Sequence, residues 1–111
     1  MGNKKFTKMH GLGNDFAVFD SREDIIQMEI SDIRAICNRF TGVGCDQLII
    51  VEPPHAASSD IFMRIYNSDG SEVGACGNAT RCVAAQIMDE NKTRNCAIET
   101  LAGILIAEKN K

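Results

Sequence analysis

Along this chain apolar residues recur at two different spacings, every second position in some stretches and every third or fourth in others, and the changes of period mark out the elements. KKFTKM (4–9) and DFAVFD (15–20) predict two short strands, and HGLGN between them predicts a tight, ordered turn through its two glycines. In SDIRAICNRF, Ile33, Ile36, Cys37 and Phe40 fall one helical turn apart, which predicts an amphipathic helix over 32–40 with Ser31 as its N-cap. The glycines of TGVGCD stop it. QLIIVE (47–52) is a continuous apolar run that predicts a buried strand, ended by Pro53 and Pro54. IFMRIYN (61–67) predicts a further strand, with Phe62, Arg64 and Tyr66 on one face and Met63 and Ile65 on the other, before a turn at NSDG. From Ala79 to Met88 the apolar positions cover so much of a helical circumference that the helix must be largely buried. CAIETL and ILIAE then alternate around Ala102 and Gly103 and predict a hairpin. About six strands and two helices, one of them central and apolar, define an α+β domain spanning residues 1–111, with a mostly antiparallel sheet wrapped around a helix.

Composition narrows what such a domain can do. With 111 residues, 44% hydrophobic and 24% charged, the chain suits one globular domain with a modest core. A formal net charge of -3 offers no basic stripe to neutralise a nucleic-acid backbone, so nucleic acid is not an expected partner. No apolar run is long enough for a membrane helix, and MGNKKFTKMH is not followed by the apolar core of a secretory signal. A cytoplasmic location without membrane contact is therefore expected. The five cysteines are odd in number and include no CxxC pair of the zinc or thioredoxin kind, so free thiols are expected and no metal site.

One of those thiols stands where chemistry is easiest. In GACGNATRC (74–82), Cys76 lies just ahead of the predicted buried helix, where unpaired N–H groups and the positive end of the helix dipole meet. Such positions lower a thiol's pKa from about 8.5, so Cys76 is a candidate nucleophile or base near neutral pH. Gly77 lacks a Cβ, and its N–H with that of Asn78 can hold an anion such as a carboxylate. A thiolate beside a carboxylate site suits removal of the proton on the carbon next to that carboxylate. A cysteine at a helix start is more often a small buried hydrophobe. The flanking glycines, Gly74 and Gly77, and the buried helix behind them favour the functional alternative.

The other candidates have structural readings. Cys37 lies on an apolar stripe and is expected in the core, as is Cys82; a Cys76–Cys82 disulfide would need the loop to fold back on the helix. Cys45 is read as packing, and Cys96 opens a strand without an evident partner. His10, among glycines, is read as a structural hydrogen-bonder. Asp69 and Glu72 are read as solvated turn residues, and Asp15 and Asp46 as partners of loop backbone.

KMHGLGNDF, TGVGCDQLI, RIYNSDGSE and ACGNATRC, in this order and at these separations, resemble the N-terminal half of the diaminopimelate epimerases. The resemblance covers nearly the whole chain. It implies the half-barrel domain of that family and a cofactor-independent isomerase that interconverts LL- and meso-2,6-diaminopimelate, in lysine and peptidoglycan-precursor biosynthesis, without pyridoxal phosphate. Two cysteines on opposite faces of the α-carbon are implied, one removing a proton as thiolate and the other donating one as thiol. Carried over by position, Cys76 is similar to the first of these, with Gly77 and Asn78 at the substrate carboxylate. Asn14, Gln47 and Asn67 are similar to the substrate-contacting side chains. Amides suit that role, because they recognise a zwitterion without adding net charge beside the thiols.

Two departures from the family pattern stand out. Ala79 occupies a position commonly glycine, and Thr80 one often alanine, with the Ala79 methyl expected on the outer side of the first helical turn. The second Cys-Gly pair, which the family carries on a second domain, has no counterpart in these residues. The chain thus reads as a fragment, a dissected domain or part of a longer protein, needing its missing half for a complete site. An unpaired strand edge would then favour a homodimer or a swapped assembly. Two alternatives stay open: a related isomerase of the same fold, of the proline racemase or phenazine-biosynthesis type, and a non-catalytic ligand-binding half-domain.

Overall fold

A computed structural model describes residues 5–11 and 13–109 of the chain. Among them are seven strands and two helices, in the order β1 (Phe6–Gly11), β2 (Asn14–Asp20), α1 (Ile30–Cys37), β3 (Gln47–Glu52), β4 (Ile61–Asn67), β5 (Glu72–Val73), α2 (Gly77–Asn91), β6 (Asn95–Thr100) and β7 (Gly103–Glu108). The fold is α+β. All seven strands join one sheet, in the order β1-β2-β3-β4-β6-β7, with the short β5 paired to β4 beside this path. Hairpins give the antiparallel pairs β1–β2, β3–β4, β4–β5 and β6–β7, while β2–β3 and β4–β6 are parallel.

Each parallel pair needs a crossover, and each crossover contains one of the helices. Crossovers of this kind are right-handed almost without exception. Because β2 and β4 run in opposite directions and both crossovers step the same way across the sheet, that rule sends α1 and α2 to opposite faces. The core divides accordingly. Phe16, Val18, Ile49, Val51, Ile61, Met63 and Ile65 pack with Ala79, Val83, Ala84, Ile87 and Met88 of α2. Their sequence neighbours Ala17, Phe19, Leu48 and Ile50 point the other way and pack with Ile33 and Cys37 of α1.

Several expected boundaries move. The expected start of the first strand at residue 4, and Leu12 within the expected HGLGN turn, lie outside the described residues. The turn itself is shorter than expected, since Gly11 already pairs with Asn14. Helix α1 begins after Glu29, not at Ser31, and the Asp32 carboxylate accepts a 2.9 Å hydrogen bond from the Glu29 N–H. It ends at Cys37 instead of continuing to residue 40. The carbonyls of Ile36 and Cys37, which a longer helix would use, accept from the N–H groups of Gly44 and Cys45 at 3.0 and 3.2 Å. Asn38 Oδ1 takes the N–H groups of Phe40 and Thr41, so Phe40 leaves the apolar stripe and is 96% exposed. Helix α2 is longer than expected at both ends, and the Ala79 methyl points into the core, not outward, with no exposed surface. β5 was not predicted, because two residues are too few to show a period.

Candidate active site

Sheet register gathers the candidate amides before any tertiary contact is considered. Asn14 opens β2, Gln47 opens the parallel β3, and Asn67 closes the antiparallel β4, so all three lie at one end of the sheet. Gln47 is the register partner of Asn67, and Phe16 that of Gln47. Each amide shares the parity of the residues that pack on α2, so all three face that helix. Gln47 Nε2 donates to Asn67 Oδ1 at 3.3 Å, and Asn67 Nδ2 donates to Ser71 Oγ at 3.2 Å. Gln47 Oε1 is buried and, among the described residues, accepts no hydrogen bond. An unmet acceptor of this kind carries a desolvation cost that a donor arriving there would relieve.

The same end of the sheet meets the start of α2. Cys76 is the N-cap, with extended backbone, and its carbonyl accepts from Thr80 N–H at 3.0 Å and from Thr80 Oγ1 at 2.8 Å. The Thr80 hydroxyl thereby ties the N-cap to the first turn, a contact that sequence spacing alone did not indicate. Asn78 is half-buried, while Gly77 is exposed, and a Cβ there would have no atom within 4 Å, so the backbone of the first turn is open to an approaching group. β1 lies against this turn at Gly11, where a Cβ would come within 2.9 Å of Cys82 Sγ and 3.9 Å of the Asn78 carbonyl. A side chain at Gly11 would have to displace the Cys82 sulfur, and the close approach sets Asn14, the partner of Gly11, beside the first turns of α2. Cys76 is half-buried and packs against the main core; among the described residues no hydrogen bond joins it to the three amides.

Cys82 departs from its expected place in the core. It is half-buried, with its sulfur 3.6 Å from the His10 carbonyl, and burial raises its pKa, with Cys76 adding to the shift. Cys37, Cys45 and Cys96 are buried, and all five cysteines are free.

On the α1 side lies a polar cluster. Asp15 and Asp46 are joined through backbone, as expected: Asp15 N–H donates to Asp46 Oδ2 at 3.0 Å and Asp46 N–H to Asp15 Oδ1 at 2.8 Å. Arg39 was not foreseen there. Its guanidinium bridges both carboxylates at 2.8 and 3.0 Å, and Lys8 adds a 3.1 Å contact to Asp15. The Arg39 guanidinium, chiefly, holds the Asp15 carboxyl far below the usual carboxylate range. Arg39 lies 24 residues from Asp15, and no local pattern connects them. A cavity of about 490 Å³ opens beside this cluster, lined by His10, Gly13, Asn14, Asp15, Arg39 and Asp46 among others. His10 is an exposed wall residue here.

This arrangement of two helices on a mixed sheet is shared with other proteins of known structure. A methylitaconate-delta-isomerase of known structure matches it with a TM-score of 0.74 over 97% of this chain and 60% of that one, at 17% identity. A hydroxyproline epimerase from Agrobacterium vitis matches with a TM-score of 0.69 over 96% of this chain and 37% of that one, at 14% identity. The sequence is more specific than the fold: the family model for diaminopimelate epimerase matches residues 6–111, and the chain belongs to the diaminopimelate epimerase family. The diaminopimelate epimerase of Rhodospirillum centenum is 53% identical over 102 residues, which make up 92% of this chain and 35% of that protein. That of Acidiphilium cryptum is 50% identical over 105 residues, 95% of this chain and 37% of the relative. The chain spans about a third of the length of these curated relatives.

Proposed function

We propose that this chain is the N-terminal half of a cofactor-independent diaminopimelate epimerase of lysine and peptidoglycan-precursor biosynthesis, and that Cys76 is one of its two proton-transfer groups. What supports the proposal is that the first turns of α2, which Cys76 caps and Gly77 leaves open, lie against Gly11, whose partner Asn14 stands at the same sheet end as Gln47 and Asn67. In this reading the N–H groups of Gly77 and Asn78 hold the α-carboxylate of diaminopimelate at the helix N-terminus. Cys76, as thiolate, removes the α-proton, while a thiol from the second half of the protein delivers a proton to the opposite face. Covalent bonding is conserved: one C–H bond breaks, one forms, and the configuration at the α-carbon inverts. Asn14, Gln47 and Asn67 bind the distal amino and carboxylate groups, and the unpartnered Gln47 Oε1 supplies an acceptor for an ammonium N–H.

The sheet is then one half-barrel of a two-domain enzyme, with the substrate cleft between the halves. β7 lies at one edge of the sheet, and Ile104, Leu105 and Ile106 are exposed along it. An apolar edge of this kind favours pairing with the second domain or, without it, with a second copy. A reducing, cytoplasmic setting keeps both catalytic thiols available. Among the described residues no helix is long and apolar enough to cross a membrane.

The test is incorporation of deuterium at the α-carbon of meso-diaminopimelate in deuterated buffer, read by mass spectrometry. It is run with the chain alone and with the C-terminal half of a curated relative added, each with and without Cys76→Ser. Exchange that requires Cys76 supports the proposal. Absence of exchange in the reconstituted protein, or exchange unchanged by Cys76→Ser, overturns it. Light scattering of a concentrated sample tests the edge pairing, which a compact monomer would rule out.

A further inference from the structure

Two cysteines outside the proposed site lie closer together than any chain pattern announces. The sulfurs of Cys37 and Cys45 are 3.4 Å apart. Cys37 ends α1 and Cys45 precedes β3, and the Cys45 N–H to Cys37 carbonyl bond of 3.2 Å, beside the Gly44 to Ile36 bond of 3.0 Å, holds the two backbones side by side. Neither thiol has a part in proton transfer at Cys76. Both residues are buried, at 3% and 2% exposure, yet a cleft of about 510 Å³ lined by Arg34, Cys37, Asn38, Arg39 and Phe40 among others reaches the Cys37 side. A small neutral oxidant has a route there that a peptide disulfide does not.

We propose that Cys37 and Cys45 form an oxidisable dithiol, which a small hydroperoxide converts to an intramolecular disulfide. One sulfur attacks the O–O bond, becomes a sulfenic acid and releases water or an alcohol from the hydroperoxide. The other thiol then attacks the sulfenic sulfur, the S–S bond forms, and its proton leaves with the displaced hydroxyl as water. Overall two thiols are oxidised, one peroxide is reduced, and the balance is the same whichever sulfur reacts first. Closure requires the sulfurs to approach from 3.4 Å to a bond length of about 2.05 Å, and the Cys45 N–H to Cys37 carbonyl bond of 3.2 Å keeps the two residues side by side. The electrostatics agree with this geometry. The Cys37 S–H stabilises a Cys45 thiolate and brings the Cys45 thiol down to about 7, while the same contact and burial drive Cys37 up. The product ties the end of α1 to the strand that begins with Gln47.

Trypsin separates all five cysteines onto different peptides, with cleavage after Arg34, Arg39 and Arg64 isolating Cys37 from Cys45. The folded chain is treated with hydrogen peroxide at neutral pH, quenched with an alkylating reagent and digested without reduction, in wild-type and Cys76→Ser forms. The expected result is a loss of about 2 Da, the two thiol hydrogens, and a linked 35–39/40–64 peptide pair in both forms. The link should be absent from Cys37→Ser and from Cys45→Ser. A Cys76–Cys82 link in place of the 37–45 pair overturns the proposal. So does sulfinic acid at either residue without the link, or a link that appears only after denaturation. Protection of Cys37 and Cys45 at peroxide concentrations that fully oxidise Cys76 overturns it as well.

Discussion

The two faces of the sheet are built on different terms. On one, α2 runs for 15 residues and sinks six of them, including Ala79, Val83 and Ile87, into the larger part of the core. On the other, α1 has 8 residues, buries Ile33 and Cys37, and gives way to a loop held by Arg39 between two aspartates. Packing of a long apolar helix leaves its N-terminus little freedom, and interiors of this density resist small shifts. A charged bridge at the surface holds its partners more loosely and is screened by salt. Strand parity separates neighbouring residues: Asn14 and Gln47 alternate with Asp15 and Asp46, the first two in step with residues packed on α2 and the second two with residues packed on α1, while Asn14 at the strand end also lines the cavity beside Asp15 and Arg39. Proton abstraction from carbon depends on position to within fractions of an ångström, and the candidate groups stand on the rigidly packed side.

Substitution at the rigid face should have the largest effect on function. In the reconstituted two-half protein, Cys76→Ser is expected to lower the α-proton exchange rate by about 10²–10⁴-fold. Its thermal midpoint should stay close to the parent's, because Cys76 is only half-buried. A large fall in the midpoint would make Cys76 a packing residue.

Stability should separate the faces next. Ile49→Ala, beneath α2, is expected to cost about 4 kcal/mol in urea denaturation, and Ile33→Ala, on the shorter α1, about 2–3 kcal/mol, since a short helix can settle into the space left. Equal losses would mean that both helices are held alike.

Acid should act on the polar face. The Asp15 carboxyl is depressed from its ordinary value of 3.8, chiefly by Arg39. Its contribution to stability is therefore fully present above that value and is lost as pH falls below it towards the folded value. Denaturation midpoints measured from pH 6 downward should fall less steeply in Asp15→Asn than in the parent. Parallel curves would show that the bridge adds nothing to stability.

The smallest effect is expected at Phe40, which the chain pattern had assigned to a buried stripe. At 96% exposure, Phe40→Ala should change stability by no more than about 0.5 kcal/mol. A loss of core size would mean that Phe40 folds back onto the sheet.

Part of the candidate site was legible because its signals are local. A cysteine before a buried helix and a following glycine are visible within a few residues, and four short motifs in fixed order carried the family resemblance, from which alone the three amides were singled out. The Asp15–Arg39–Asp46 bridge and the Cys37–Cys45 contact were not legible. Their members share no period or turn signal, and only the route of the loop after α1 brings them together. The end of α1 was misjudged for a related reason. Phe40 has helical spacing, but the carbonyls that would continue the helix are taken by Gly44 and Cys45, whose arrival no helical pattern reports.

By itself, then, the sequence determined which longer segments become strands and helices, which residues within each strand point the same way, and which thiol stands before a buried helix. Those properties depend on side-chain period and on capping, which act over one or two turns of chain. Tertiary structure decided the sheet order, the sides on which the helices lie and the company each buried thiol keeps. Handed crossovers turn the antiparallel course of β2 and β4 into opposite faces for α1 and α2, and distant backbone groups compete for the same carbonyls; both are settled only when the whole sheet closes.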